Sequence, residues 1–347
     1  MEKQRETMQE IAIKLAEEQV QNQISLNGPR ERCIFIIGSQ NVGKSTIINR
    51  YLDREEGPKS TLALEYSYGR RSSPGQGVQK QICHVWELGT IVNSEQLLEI
   101  PFRSHGFENM SVIIMVDLSQ PQRLWNDLMT ILQCLKKVFQ MKSTESIELM
   151  RKMLEEQYAV LDHADVATLD VFPIPMYIIG GKYDLFQDRD PEIKKQVCRC
   201  LRATAHLVGA SVFFYTNQNN SMGKTLRDIF NHCGFGSPGN PIRNLHVDYN
   251  GPLSVSFGKD SWDKIGTTPE NLEGIGAFYS AKITQEDQHS LPLPPDPAND
   301  AGFREAAIDE IRAHKNEEIH TLQKHSSITA IITLYVCMDL RILATFL

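Results

Sequence analysis

CIFIIGSQNVGKSTIINRYL, residues 33–52, places three features in a fixed order. The apolar run CIFIIG has the length and branching of a strand buried on both faces. GSQNVGKS, Gly38–Ser45, fits G-x-x-x-x-G-K-[ST], and STIINRYL then carries the apolar spacing of a helix. A strand, a glycine-bounded loop and a helix in that order let backbone N–H groups face phosphates, while the helix N-terminus adds positive potential. Gly38, Ser39, Gln40, Asn41, Val42, Gly43, Lys44, Ser45 and Thr46 are therefore the candidate nucleotide-binding residues. Lys44 would reach the β- and γ-phosphates, and Ser45 would hold Mg²⁺. A glycine-rich structural turn is the alternative, and the flanking strand and helix weigh against it.

From this segment onward, short apolar runs alternate with helix-length stretches, the rhythm of a mostly parallel sheet covered on both faces. Six strands are expected, at Cys33–Gly38, Leu62–Tyr68, Ile82–Leu88, Val112–Asp117, Met176–Gly180 and Ser211–Tyr215. Helices are expected at Lys44–Leu52, Leu124–Phe139 with a continuation toward Gln157, Asp190–Val208 and Met222–Cys233. Asp190-Pro191 is a good helix start, since Asp caps free N–H groups and Pro at the first helical position gives up no hydrogen bond. No helix fits between the second and third strands, only GRRSSPGQG, so these two form an antiparallel hairpin. The expected architecture is an α/β, Ras-like P-loop NTPase fold: a six-stranded, mostly parallel sheet with one antiparallel edge strand, plus helical and irregular extensions.

Ras-like proteins carry Asn-Lys-x-Asp at a strand end to read guanine, and here the text is GGKYD, Gly180–Asp184. Asp184 could accept two hydrogen bonds from the guanine edge, with the Lys182 stem over the base. Gly181 stands in place of Asn, which weakens guanine preference. Asp-x-x-Gly, whose Asp reaches Mg²⁺ through water, is represented by WELG: Trp86 in the Asp place, Glu87 beside it, and Gly89 retained. Thr90 follows where a water-orienting Gln is usual. The loop that normally reads Ser-Ala-Lys is matched to Asn217-Gln218-Asn219. Thr61 is either a switch threonine at Mg²⁺, joining Ser45 as a metal ligand, or an ordinary β-branched residue entering a strand. With these parts altered, nucleotide is expected to be held more than turned over. GTP or GDP with Mg²⁺ is the expected cofactor, ATP or ADP the alternative.

The 347 residues are 41% hydrophobic and 23% charged, ordinary for a folded soluble chain. A net charge of −7 argues against nucleic acid as a partner, because that grip rests on clustered Lys and Arg. Seven scattered Cys without C-x-x-C, and a charged N-terminus, point to a reducing cytoplasmic compartment and no structural zinc. Residues 1–30 read as an N-terminal helical extension or a solvated tail, and 31–235 as the P-loop domain. Residues 236–298 read as an irregular Gly/Pro-containing extension, and 299–347 as a polar helix followed by an apolar tail. Asp339 and Arg341 interrupt that tail. Each central charge adds about 2.5–3.5 kcal/mol to insertion, and the uncharged part is shorter than the roughly 20 residues a span needs, so a membrane is not the expected partner.

TLALEYSYGRR (Thr61–Arg71), VWELG (Val85–Gly89), VDLSQPQRLW (Val116–Trp125) and GGKYDLFQD (Gly180–Asp188), in this order, resemble the dynein light intermediate chain family, in particular its cytoplasmic dynein 2 branch. The resemblance covers about residues 30 to 300. It implies a Ras-like fold with an intact P-loop and degenerate guanine and switch motifs, in a non-motor subunit that binds the dynein 2 heavy chain and other dynein 2 subunits. It further implies work with the intraflagellar transport machinery, in retrograde transport and cilium assembly. The implied sites are the cytoplasm, the cytoskeleton, the centrosome and the cilium, at basal body and axoneme. A genuine but slow GTPase switch is the competing reading, and it would need Glu87 to replace the missing carboxylate at the metal. The apolar end after His325 departs from the charged helical tail usual in that family.

Overall fold

The computed structural model describes residues 31–324, apart from 56, 73–79, 92–93, 142–150, 153–164, 238–239, 267–268, 270 and 287–303. The expected N-terminal helix, the Pro-rich linker and the apolar C-terminal run lie outside the described residues, as does the continuation toward Gln157 apart from residues 151–152, which are helical. Two units are distinguished, Met1–Leu291 and Pro292–Leu347. In the second, residues 306–324 are helical, with Ile308, Ile311, Ile319 and Leu322 exposed.

The first unit is built on β1 (Glu31–Gly38), β2 (Leu64–Ser72), β3 (Lys80–Leu88), β4 (Met110–Asp117), β5 (Met176–Gly181), β6 (Ala210–Phe214) and β7 (Ser254–Val255), in spatial order β2-β3-β1-β4-β5-β6-β7. Strands β3, β1, β4, β5 and β6 run parallel, and the β2–β3 hairpin is antiparallel as expected. The helices are α1 (Lys44–Tyr51), α2 (Glu99–His105), α3 (Pro121–Met141), α4 (Pro191–Val208), α5 (Asn220–Phe235) and α6 (Leu272–Ser280). Alternation along β1 divides the core. Phe35 and Ile37 join Val112, Ile114, Leu128 and Leu201 beneath α2, α3, α4 and α6. Ile34 and Ile36 join Ile113, Ile47 and Ile229 beneath α1 and α5. Both faces being dry explains why these strands read as unbroken apolar runs. Asp190 caps α4 by accepting from the Glu192 N–H, with Pro191 in the first turn, as its sequence implies.

Among the described residues the sheet has seven strands rather than six, and antiparallel pairs at both edges rather than one, because β7 lies antiparallel to β6. Two residues carry no periodicity; tertiary bonds define this strand, with Phe214 N–H donating to Leu253 and His246 and Ser254 exchanging both backbone bonds. The Gly/Pro-containing stretch also holds α6 and a helical turn at Trp262–Ile265. Gly276 of α6 sits where a Cβ would stand 2.5 Å from the Trp125 ring, so α6 packs directly on α3. Tyr279 Oη donates to the Pro121 carbonyl at 2.8 Å. Arg202 of α4 holds Asp260 through two bonds of 2.7 Å, both side chains being buried. Removing one partner from a buried pair leaves an uncompensated charge, so Asp260→Ala should cost about 3–5 kcal/mol. A fall in the urea midpoint at unchanged slope measures it; a midpoint at the wild-type value would show that this stretch is peripheral to the core.

Candidate functional site

β1 has β3 on one side and β4 on the other, so the chain order reverses there, and ligands of open α/β sheets bind outside the carboxyl ends of strands at such a point. The loop Gly38–Ser45 occupies this position. Asn41 (φ 57°) and Gly43 (φ 102°) are left-handed, which turns successive N–H groups toward one concave side. Gly38 is forced by contact: a Cβ would lie 2.1 Å from the Met115 carbonyl oxygen. A Cβ built at Gly43 would meet nothing within 4 Å, so the space before the loop is open.

Lys44 is buried, and its Nζ donates to the carbonyls of Gly38 (3.1 Å), Ser39 (2.9 Å) and Gly89 (3.0 Å). Three neutral acceptors do not balance an ammonium. Desolvation pulls its pKa down from 10.5 to about 8, against the opposing charges of Glu87 and Asp127. Asp127 of α3 is itself buried, and its carboxyl is pushed up by desolvation. An open concave backbone with a poorly neutralised cation at its floor fits a polyphosphate.

The metal side differs from the sequence expectation. Trp86, aligned with the missing Asp, points to the other face, where its ring lies 4.9 Å from that of Tyr66. Strand alternation gives the position facing α1 to the next residue. Glu87 is buried and accepts from Ser45 Oγ at 2.8 Å. Desolvation raises its carboxyl above the ordinary range, while Ser45 and Lys44 oppose that shift. Ser45 Oγ and Thr61 Oγ1 stand 3.4 Å apart, so both expected metal residues meet, and Thr61 donates to Glu65 at 3.1 Å. Two hydroxyls and a carboxylate are the hard oxygen donors Mg²⁺ prefers. Gly89 is again required by contact, since a Cβ would stand 2.2 Å from the Thr61 carbonyl oxygen.

On the base side, Asp184 Oδ1 accepts from Thr216 Oγ1 at 2.8 Å and Oδ2 from Gln218 at 3.4 Å. Asp184 is thus held by Thr216, just before the expected triplet, at the shorter distance, and by Gln218 within it. Asn217 instead accepts from Arg50 at 2.6 Å, and Asn219 caps α5. Thr216, directly after the apolar run SVFFY, was the available signal. Lys182 is left-handed (φ 58°), and its ammonium lies 2.6 Å from buried Asp117, a pairing that sequence spacing does not reveal. Gly181, in the Asn place, lets β5 approach the P-loop directly: a Cβ would lie 3.0 Å from the Val42 carbonyl.

The Lys44 geometry fixes a pH dependence. Between pH 8 and 10.5 the unfolded chain still holds the Lys44 proton that the folded chain has released, so this group raises stability as pH rises through that window. The wild-type advantage over Lys44→Met should grow by up to about 3 kcal/mol across it, read by urea unfolding at a series of pH values. A constant difference would mean that the ammonium is solvated.

A family model described as dynein light intermediate chain matches residues 11–167. The chain is 36% identical over 344 residues to cytoplasmic dynein 2 light intermediate chain 1 of Bos taurus, covering 93% of this chain and 96% of the relative. The Homo sapiens protein of that name is 35% identical over 93% of this chain and 96% of its own length. For Danio rerio the identity is 31%, over 86% and 87%. The crystal structure of the dynein light intermediate chain's conserved domain superposes with a TM-score of 0.54, covering 76% of this chain and 94% of its own, at 16% identity, a likeness of fold. The chain belongs to the dynein light intermediate chain family.

Proposed function

We propose that the chain is the non-catalytic light intermediate chain subunit of cytoplasmic dynein 2, which binds and stabilises the heavy chain and serves retrograde intraflagellar transport and cilium assembly. The observation that carries this reading is identity of 36% along 93% of the chain to a relative of that name. Its sites of action are the cytoplasm, the cytoskeleton and the cilium, with the centrosome. The G-like domain supports docking as a rigid scaffold, and GTP or GDP with Mg²⁺ would sit at Gly38–Thr46, with Ser45, Thr61 and Glu87 at the metal and Asp184 at the base. Bound nucleotide would supply negative charge to the Lys44 floor and so stabilise the fold by mass action. Thr90 in place of a water-orienting Gln supports retention over turnover.

One observation favours the second reading, a slow GTPase switch: the Glu87 carboxylate already reaches Ser45 at 2.8 Å, where a metal-shell carboxylate is needed. Three measurements separate the readings. The purified full chain should capture the heavy-chain tail in a pull-down, and its absence with a well-folded chain would sink the subunit reading. Denaturation of the purified chain should release guanine nucleotide, and Lys44→Ala should abolish that release and lower the melting temperature. Single-turnover GTP hydrolysis should be indistinguishable between wild type and Lys44→Ala; a rate that depends on Lys44 and Glu87 would establish the switch instead.

A further inference from the structure

Away from the P-loop, β2, the end of α1 and α5 line an open cavity of about 580 Å³. Tyr51, Tyr68 and Phe235 supply its aromatic walls. Four arginines line it: Arg54, Arg70, Arg71 and Arg227. Asp53 is the one carboxylate among the described lining residues, and Arg227 engages both its oxygens, at 2.6 and 3.2 Å. The other three arginines have neutral partners. Arg54 donates to Ser67 Oγ at 3.0 Å, and Arg70 to Tyr68 Oη at 3.5 Å. Arg71 stacks over Phe235 at 4.5 Å and donates to Ser237 and Gln81, both at 3.1 Å. Its Nε is buried without an acceptor.

Among the described residues none of these three guanidiniums has a carboxylate partner, in a chain of net charge −7. The setting selects among anions. Among the described residues β2 is an edge strand, paired to β3 on one side, with no strand on its outer row of backbone groups. Such an edge accepts an extended chain by main-chain hydrogen bonds, and every second side chain of the added strand falls on the same face. Guanidinium forks match carboxylates two bonds at a time. The cavity volume lies within the roughly 300–1,000 Å³ of side-chain and ligand pockets.

We propose that β2 and this cavity form a docking site for an extended acidic peptide of a partner protein. The peptide adds to the β2 edge, and its alternate carboxylates pair with Arg54 and Arg71, which share the face of β2 turned to α5, while Arg70 with Tyr68 lies on the opposite face. This site is independent of nucleotide at the P-loop.

The test uses the full chain and a fluorescein-labelled decapeptide alternating Glu and Val, with a Lys/Val peptide as its charge-reversed control. The Glu peptide should bind and the Lys peptide should not. Arg54→Glu, at an exposed position, should weaken binding by about tenfold or more at unchanged melting temperature, and Arg70→Glu, exposed on the opposite face of β2, by no more than about twofold; equal weakening by the two would overturn the pairing. Lys195→Glu, exposed on α4, should leave it unchanged. Amide exchange should slow along residues 64–72. Failure of the Glu peptide to bind would overturn the proposal. Equal weakening by Lys195→Glu, displacement by inorganic pyrophosphate or an oligonucleotide at matched charge, or protection confined to residues 38–45 would overturn it as well.

Discussion

Five parallel strands covered by helices on both faces leave one place where loops can meet, the row of strand ends at the carboxyl edge. The parts of the candidate nucleotide site all sit there: the P-loop after β1, Glu87 and Gly89 at the end of β3, Asp117 at the end of β4, Lys182 and Asp184 after β5, and Thr216 after β6. The edge is crowded. Gly38 touches the Met115 backbone, Gly89 the Thr61 backbone and Gly181 the Val42 backbone, each at a separation a side chain would forbid or force open. Backbone packing, more than side-chain bonding, sets the shape of the crevice.

Electrostatics at that edge are only partly balanced. Lys44 sits among three carbonyls, with the carboxyls of Glu87 and Asp127 in its field, and burial pushes all three groups toward their neutral forms. A polyphosphate and a divalent cation together would match this arrangement, since one supplies the anion Lys44 lacks and the other the cation Glu87 lacks. On the proposed reading, that pairing would let a domain without the usual Asp and Gln keep a nucleotide as a structural component.

The region after α5 alters the view of the domain as a minimal G-like fold. β7, α6 and the turn at Trp262 are integral to the sheet face under α3 and α4, through Gly276 on Trp125, Tyr279 on Pro121 and Asp260 on Arg202. The opposite end of the sheet, by contrast, is left open at β2. Among the described residues, one edge is closed by the chain's own extension, while the outer side of β2 carries no strand and lies beside arginines without carboxylate partners.

The local sequence settled the fold class, the P-loop, the β2–β3 hairpin and the α4 cap, because apolar runs, fixed-spacing glycines and Asp-Pro act over a few residues. Positions that depend on local order alone follow the same rule: Lys44 and Ser45 open the helix after β1, and Asp184 lies just after β5. Three features needed the tertiary structure. Motif alignment gave the carboxylate place to Trp86, yet the pleat of β3 turns Trp86 away and aims Glu87 at Ser45. Thr216 was passed over for its neighbours because its role is defined by Asp184, far away in sequence. β7 is two residues long, and only its bonds to β6 and to His246 make it a strand. Sequence carries short-range period and turn chemistry; which face a residue presents, and which distant residue it meets, follow from strand register and packing.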